Sequence, residues 1–176
     1  MTKLLALSGS LRAASTNTLL INEAARMFDA DTFETGDLNL PLYNGDVEEN
    51  DGIPAAVQTL SDQIAAADAV VISTPEYNKS LSGVLKNALD WVSRTKDNPW
   101  LNKPIAIMSA TAGRAGGEQA QAALTLCLAP FRPQLVMGPQ VLVASSFEQF
   151  DDNGKLKGEM YQDLLGDLMD RLKARI

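Results

Sequence analysis

Apolar runs too short to be helices, each followed by apolar residues at helical spacing, constrain this chain more than any other feature. Lys3 to Leu7 is such a run. It stops at Ser8-Gly9-Ser10 and predicts a buried strand. Leu20, Ile21, Ala24, Ala25 and Phe28 then mark a helix from about Thr16 to Phe28. Asp31 to Glu34 is a weaker strand, and Asn39 to Asp51, with Pro41 and Gly45, reads as a loop. Pro54 suits the first turn of a helix; Val57, Leu60 and Ile64 continue its stripe to about Ala67. Ala69 to Ser73 is the clearest buried strand, closed by Pro75. Val84, Leu85, Ala88, Leu89 and Val92 give a helix, Ile105 to Met108 a strand, and Ala120 to Leu128 a helix ended by Pro130. A last strand region, Val136-Met137 and Val141 to Val143, is interrupted by Gly138-Pro139. After the turn Asp151 to Gly154, a final helix runs along Tyr161, Leu164, Leu165, Leu168, Leu172 and Ile176.

Strands alternating with helices imply a parallel sheet covered on both faces. Five of them suggest an α/β, flavodoxin-like, doubly wound sheet of order 2-1-3-4-5, in one domain spanning 1–176. In such a sheet, ligands bind beyond the carboxyl ends of the strands, where the order reverses between strands 1 and 3.

The chain contains no histidine. That excludes Ser-His-Asp and Cys-His mechanisms and removes the commonest general acid/base and metal ligand. Any chemistry must come from carboxylates, lysine, backbone dipoles or a cofactor. The single cysteine, Cys127, permits neither an internal disulfide nor a cysteine zinc cluster. It lies on an apolar helical face and is expected to pack. A net charge of −7 argues against a nucleic-acid binder. No apolar run approaches the ~20 residues that span a bilayer. The apolar N-terminus is too short for a signal peptide and lacks a cleavage site, so a cytoplasmic location is expected. The acidic stretch Asp46 to Asp51 lacks calcium-loop spacing, and no metal is expected there.

Three loops meet at the strand ends. Ser8 to Asn17, followed by Thr18, offers hydroxyls, an amide and Arg12 just before a helix N-terminus, which suits an anion. A helix cap with a solvated arginine accounts for the same residues. There is no G-x-x-x-x-G-K-[ST] and no G-x-G-x-x-G, so a mononucleotide fits better than a dinucleotide. Thr74 to Ser80 presents Tyr77 and backbone amides, against which a planar heterocycle can lie; an ordinary turn with a packed tyrosine reads alike. Ser109 to Gly117 is rich in small residues that let a ligand approach the backbone, and Arg114 is placed to meet a second phosphate or simply to be solvated.

Gly9-Ser10-Leu11-Arg12 with Ser15 and Asn17, then Pro75-Glu76-Tyr77-Asn78 running into Gly83-Val84-Leu85-Lys86-Asn87-Ala88-Leu89-Asp90-Trp91, resembles the NADPH-dependent FMN reductase family, which includes quinone, chromate and azo-dye reductases. The resemblance covers nearly the whole chain. It implies that Ser10, Arg12, Ser15, Asn17 and Thr18 hold the FMN phosphate and that Pro75, Glu76, Tyr77 and Asn78 hold the isoalloxazine. Ser109, Thr111 and Gly113 would complete the site. It further implies a homodimer or homotetramer, with Trp91 near the subunit interface. Two residues depart from the pattern: Lys79 stands where the family often carries glycine or an aromatic, and Ser82 where proline is common.

The function implied is ping-pong hydride transfer from NADPH or NADH, through bound FMN, to a small acceptor such as a quinone, metal oxyanion or azo compound, with no catalytic side chain. Two alternatives stand beside it: a flavodoxin-type electron carrier, against which Arg12 counts, and a phosphate-binding module without flavin.

Overall fold

The computed structural model describes residues 1–176. Its strands are β1 (Lys3–Ser8), β2 (Thr32–Gly36), β3 (Ala69–Ser73), β4 (Pro104–Ala110), β5 (Gln134–Leu135) and β6 (Val141–Val143). Its helices are α1 (Thr16–Phe28), α2 (Gly45–Asp51), α3 (Ala55–Ala66), α4 (Gly83–Val92), α5 (Glu118–Leu128) and α6 (Glu159–Lys173). The order across the sheet is β2-β1-β3-β4-β5, with β6 also on β4, and every pairing is parallel. The order therefore matches the doubly wound arrangement expected.

The period of two along each strand separates two cores. Leu4 and Ala6 of β1 face α1 and α6, meeting Leu20, Ile21, Phe28, Leu165 and Leu168. Leu5 and Leu7 face the other way, toward Leu60 and Ile64 of α3, Leu85 and Leu89 of α4, and Leu124 of α5. Met169 is buried in the first core, and Cys127, half-buried, packs against the second.

Among the boundaries that differ from expectation, four have a clear physical reason. β2 begins at Thr32 and runs to Gly36; as an exposed edge strand it has little apolar alternation to reveal it. The supposed loop Asn39 to Asp51 contains α2. Asn44 caps it by accepting from the Asp46 amide, and Asp46 and Glu48 complement its N-terminal dipole. None of its residues is buried, so no hydrophobic stripe announces it. Pro54 precedes α3 as its cap residue and is not its first helical residue. The last strand is split. The ladder forms at Gln134–Leu135 and not at Val136-Met137. Val136 still donates to the Ile105 carbonyl, but Met137 is exposed. Gly138, at φ 73°, and Pro139 swing the chain outward before it returns as β6 beside the far half of β4.

Where β3 ends, one side chain takes over its hydrogen bonding. The Asn17 carboxamide, 3% exposed, donates to the Ala110 carbonyl (2.9 Å) and accepts from the Ala110 amide (3.0 Å) and the Ser73 hydroxyl (2.7 Å). It continues the ladder on the β3 side of β4 and ties α1 to both strand ends. Asn17→Ala orphans three buried groups. The expected cost is about 3 kcal/mol, since each unsatisfied buried group costs ~1–3 kcal/mol. In urea unfolding the midpoint should fall with the slope unchanged; an unmoved midpoint would show that the tie carries no stability.

Candidate functional site

The loops after β1, β3 and β4 converge at the carboxyl end of the sheet around a cleft of about 240 Å³. Close approach of the first two favours a glycine. A Cβ on Gly9 would lie 3.0 Å from the Ser82 hydroxyl and 3.2 Å from the Ser73 carbonyl oxygen, and the Gly9 amide donates to that carbonyl at 2.7 Å.

The first loop supplies an anion cup. Ser15 caps α1, its hydroxyl accepting from the Thr18 amide (3.4 Å). The Thr16 and Asn17 amides, in the first turn, have no carbonyl ahead of them to bond. The Ser10 hydroxyl accepts from the Arg12 amide (3.4 Å). The hydroxyl protons of Ser10 and Ser15 donate to no protein acceptor. Arg12 is exposed and takes no part in the ion pairs of the chain. Unpaired cation, free hydroxyl protons and helix N-terminus together form a donor set suited to a phosphate.

The second loop is built around a tight turn. The Tyr77 amide donates to the Ser80 carbonyl (3.0 Å) and the Ser80 amide to the Tyr77 carbonyl (3.1 Å). Asn78 (φ 51°) and Lys79 (φ 66°), both left-handed, lie between them. This is the hairpin turn that asks for Asn-Gly. Lys79 thus stands where glycine is the unstrained choice. Ser82, the other departure, caps α4 by accepting from the Leu85 amide (3.4 Å). Glu76 is anchored: one carboxylate oxygen accepts from the Gln119 and Ala120 amides at the start of α5 (3.1 and 3.3 Å), and the other lies 3.4 Å from the Lys79 ammonium. Tyr77 is 55% exposed and separates the cleft from a second hollow, lined also by Leu11, Gly83 and Val84, with Ser10 and Arg12 shared between them.

The third loop spends two of its glycines on close packing. A Cβ on Gly116 would come within 2.4 Å of the Leu142 carbonyl oxygen, and one on Gly117 within 2.7 Å of Ser109. Those two glycines serve close packing within the chain, while Ala110, Thr111 and Ala112 of the same loop line the cleft.

Of the residues singled out from sequence, Ser10, Arg12, Ser15, Asn17, Pro75, Glu76, Tyr77 and Thr111 line the one cleft. Thr18, Asn78, Ser109 and Gly113 do not. The Thr18 hydroxyl bonds that of Ser8 (2.9 Å). Buried Ser109 donates to the Gly116 carbonyl (2.6 Å) and accepts from Gln121 (2.9 Å). Asn78 shapes the turn, and Gly113 accepts from the Thr111 hydroxyl (3.3 Å). Arg114 lies outside the cleft wall. Trp91 is fully buried by its own chain, donating to the Pro41 carbonyl (2.7 Å) and meeting Tyr43 edge-on. Sequence reasoning missed Ser146 and Phe147, which close the cleft from beyond β6. Their position just after the Val141–Val143 run was the available signal.

The groups with displaced pKa lie elsewhere. Hydrogen bonds to Glu23 and Glu48 raise Arg26 and Arg94, a hydrogen bond to Glu48 raises the Tyr43 hydroxyl, and burial lowers Lys103.

Residues 2–148 match the family model described as NADPH-dependent FMN reductase. The chain belongs to the NADPH-dependent FMN reductase family. It is 41% identical over 165 residues to an NAD(P)H-dependent FMN reductase of Pseudomonas aeruginosa, covering 93% of this chain and 89% of that one. It is 43% identical over 119 residues to a quinone reductase of Escherichia coli K12, covering 65% and 63% of the two. A solved flavoenzyme, an NAD(P)H:(acceptor) oxidoreductase of Paracoccus denitrificans, superposes with a TM-score of 0.86 at 28% identity over 99% of each chain. The reductase is therefore an NAD(P)H-dependent flavin oxidoreductase.

The turn yields a test. A non-glycine residue in the left-handed region costs roughly 1–2 kcal/mol, and a glycine loosens the unfolded chain by roughly 0.4–1 kcal/mol. Lys79→Gly should stabilise the reductase by about 0.5–1 kcal/mol, raising the thermal midpoint by about 2 °C. A lower midpoint would mean that the exposed Lys79–Glu76 pair outweighs the strain.

Proposed function

We propose that this reductase holds FMN in the cleft between the loops after β1, β3 and β4, and moves electrons from NADPH or NADH to a small acceptor in a ping-pong cycle. The acceptor class proposed is a quinone, a metal oxyanion or an azo compound. The observation that carries the reading is the unpaired Arg12 beside the uncapped amides of α1, in a cleft whose one carboxylate, Glu76, is already engaged.

When bound, FMN would supply the two-electron redox chemistry between nicotinamide and acceptor. The protein's part is binding and orientation. Arg12, the Ser10 and Ser15 hydroxyls and the Thr16 and Asn17 amides take the phosphate. Tyr77 and the backbone of Pro75 to Asn78 support the ring, and Thr111 lines the same cleft. Thr18, Ser109 and Gly113 serve this reading as supports, holding Ser8, the Gly116 carbonyl and the Thr111 hydroxyl. The second hollow, about 360 Å³ in volume and partly apolar, adjoins the cleft along Ser10, Arg12 and Tyr77, so a ring laid against Tyr77 would meet nicotinamide and acceptor there in turn. No side chain is assigned as acid or base. The proposal includes one domain over 1–176, a cytoplasmic setting and a homodimer or homotetramer. No helix is long and apolar enough to cross a membrane.

The test is an anaerobic absorbance spectrum of FMN-loaded, desalted protein, before and after adding NADPH or NADH. Retained flavin that bleaches supports the reductase cycle. Retained flavin that neither nucleotide reduces favours an electron carrier, and no retained flavin rejects the cofactor site. Arg12→Ala removes a charged donor worth about 1.5–3 kcal/mol, so the FMN dissociation constant should rise roughly 10- to 100-fold. Calorimetric titration measures it; an unchanged constant would remove Arg12 from the phosphate site.

A further inference from the structure

We propose that Phe147 restricts the cofactor site to a flavin that ends in a single phosphate. The inference rests on the cleft being the FMN site. Phe147 lies in a single helical turn, Ser146–Glu148, directly after β6. The turn is entered through Ser145 at φ 45° and ψ 47°, a left-handed conformation that serine rarely adopts. It is also firmly tied. The Thr111 amide donates to the Val143 carbonyl (2.9 Å), the Ser146 amide donates to the Thr111 carbonyl (2.9 Å), and the Ser146 hydroxyl bonds that of Thr16 (2.9 Å). Ser146 is 1% exposed beneath the start of α1, and its neighbour Phe147 is left in the cleft wall at 66% exposure.

The turn gains little stability from that ring, since an exposed phenylalanine returns little of the hydrophobic free energy that burial would give. Yet a strained residue and three hydrogen bonds hold the turn in place. The strain and the bonds serve to seat Ser146, and strained residues of this kind cluster at ligand-binding sites. The Thr16–Ser146 bond fixes which end of the cleft the ring guards. Thr16 contributes an amide of the anion cup, so Phe147 borders the phosphate end, whereas Tyr77 belongs to the loop assigned to the ring. A terminal phosphate in the cup needs no exit. A flavin extended through a second phosphate to adenosine must leave the cup over its rim, and Phe147 occupies that rim. The ester-linked phosphate also carries less charge into the cup, but that handicap is the same whatever stands at position 147.

The experiment compares FMN and FAD by calorimetric titration of flavin-free protein, unsubstituted and as Phe147→Ala and Phe147→Trp. The unsubstituted protein should prefer FMN. In Phe147→Ala the FMN/FAD affinity ratio should fall by about tenfold or more, through tighter FAD binding, because removing a steric block acts on the excluded ligand. FMN affinity should change by less than about threefold, and Phe147→Trp should keep the preference. An unchanged ratio in Phe147→Ala, or an equal loss of both flavins at unaltered thermal stability, would overturn the role given to Phe147. Failure of the unsubstituted protein to bind FMN would overturn the cofactor reading itself, and the inference with it.

Discussion

The carboxamide of Asn17 is the constraint on which the site depends. A parallel sheet leaves unpaired peptide groups wherever one strand outruns its neighbour, and β4 outruns β3 at Ala110. Buried peptide groups need partners. Asn17 provides them in the geometry of a strand, while its own backbone opens α1. One side chain therefore fixes the spacing between a helix N-terminus and the two strand ends that carry the second and third loops. The Gly9–Ser73, Glu76–α5 and Thr16–Ser146 bonds then hold the loops' polar groups around the common cleft.

Electrostatics at the cleft run against the protein as a whole. The chain is acidic overall, yet the cleft's one carboxylate is engaged by the first amides of α5, and its one guanidinium is free. Glu76 also joins α5 to the loop after β3. The two functions are linked: a carboxylate that accepts two amides at a helix start is well solvated by them, so it ties the loops without needing Arg12. In a chain without histidine, this allocation of fixed charges and dipoles is what the protein brings to a reaction whose redox step belongs to its cofactor.

How much was legible in the sequence follows from which forces shaped each part. The buried strands β1, β3 and β4 and the stripes of α1, α3, α4 and α6 are hydrophobic patterns, and they were readable with small errors at the ends. The helix α2 was not, because it buries nothing and rests on an asparagine cap and first-turn acids. The break between β5 and β6 was visible as Gly138-Pro139, but the register was not, since Val136 keeps a ladder bond while Met137 turns outward. At the site, the convergence of Ser10, Arg12, Ser15 and Tyr77 was readable from loop position. The commitments of Ser109 and Thr18 to neighbouring groups depend on contacts that spacing does not encode.

Those commitments explain how so many similar polar residues can sit in the loops without competing. Asn17, Thr18 and Ser109 have their side-chain bonds satisfied by the fold. Ser10 and Ser15 accept a single backbone amide each and keep a proton to give, and Arg12 keeps its whole fork. The groups used for architecture lie beneath or beside those left open. The Ser10 and Ser15 hydroxyls are therefore oriented before any ligand arrives and have less to reorganise when it does, whereas the exposed Arg12 side chain stays free to close on an anion. The same division places Ser146 under the Thr16 hydroxyl and Phe147 at the surface beside it. A polar residue is used to fix the wall, and the residue next in sequence is left exposed in it.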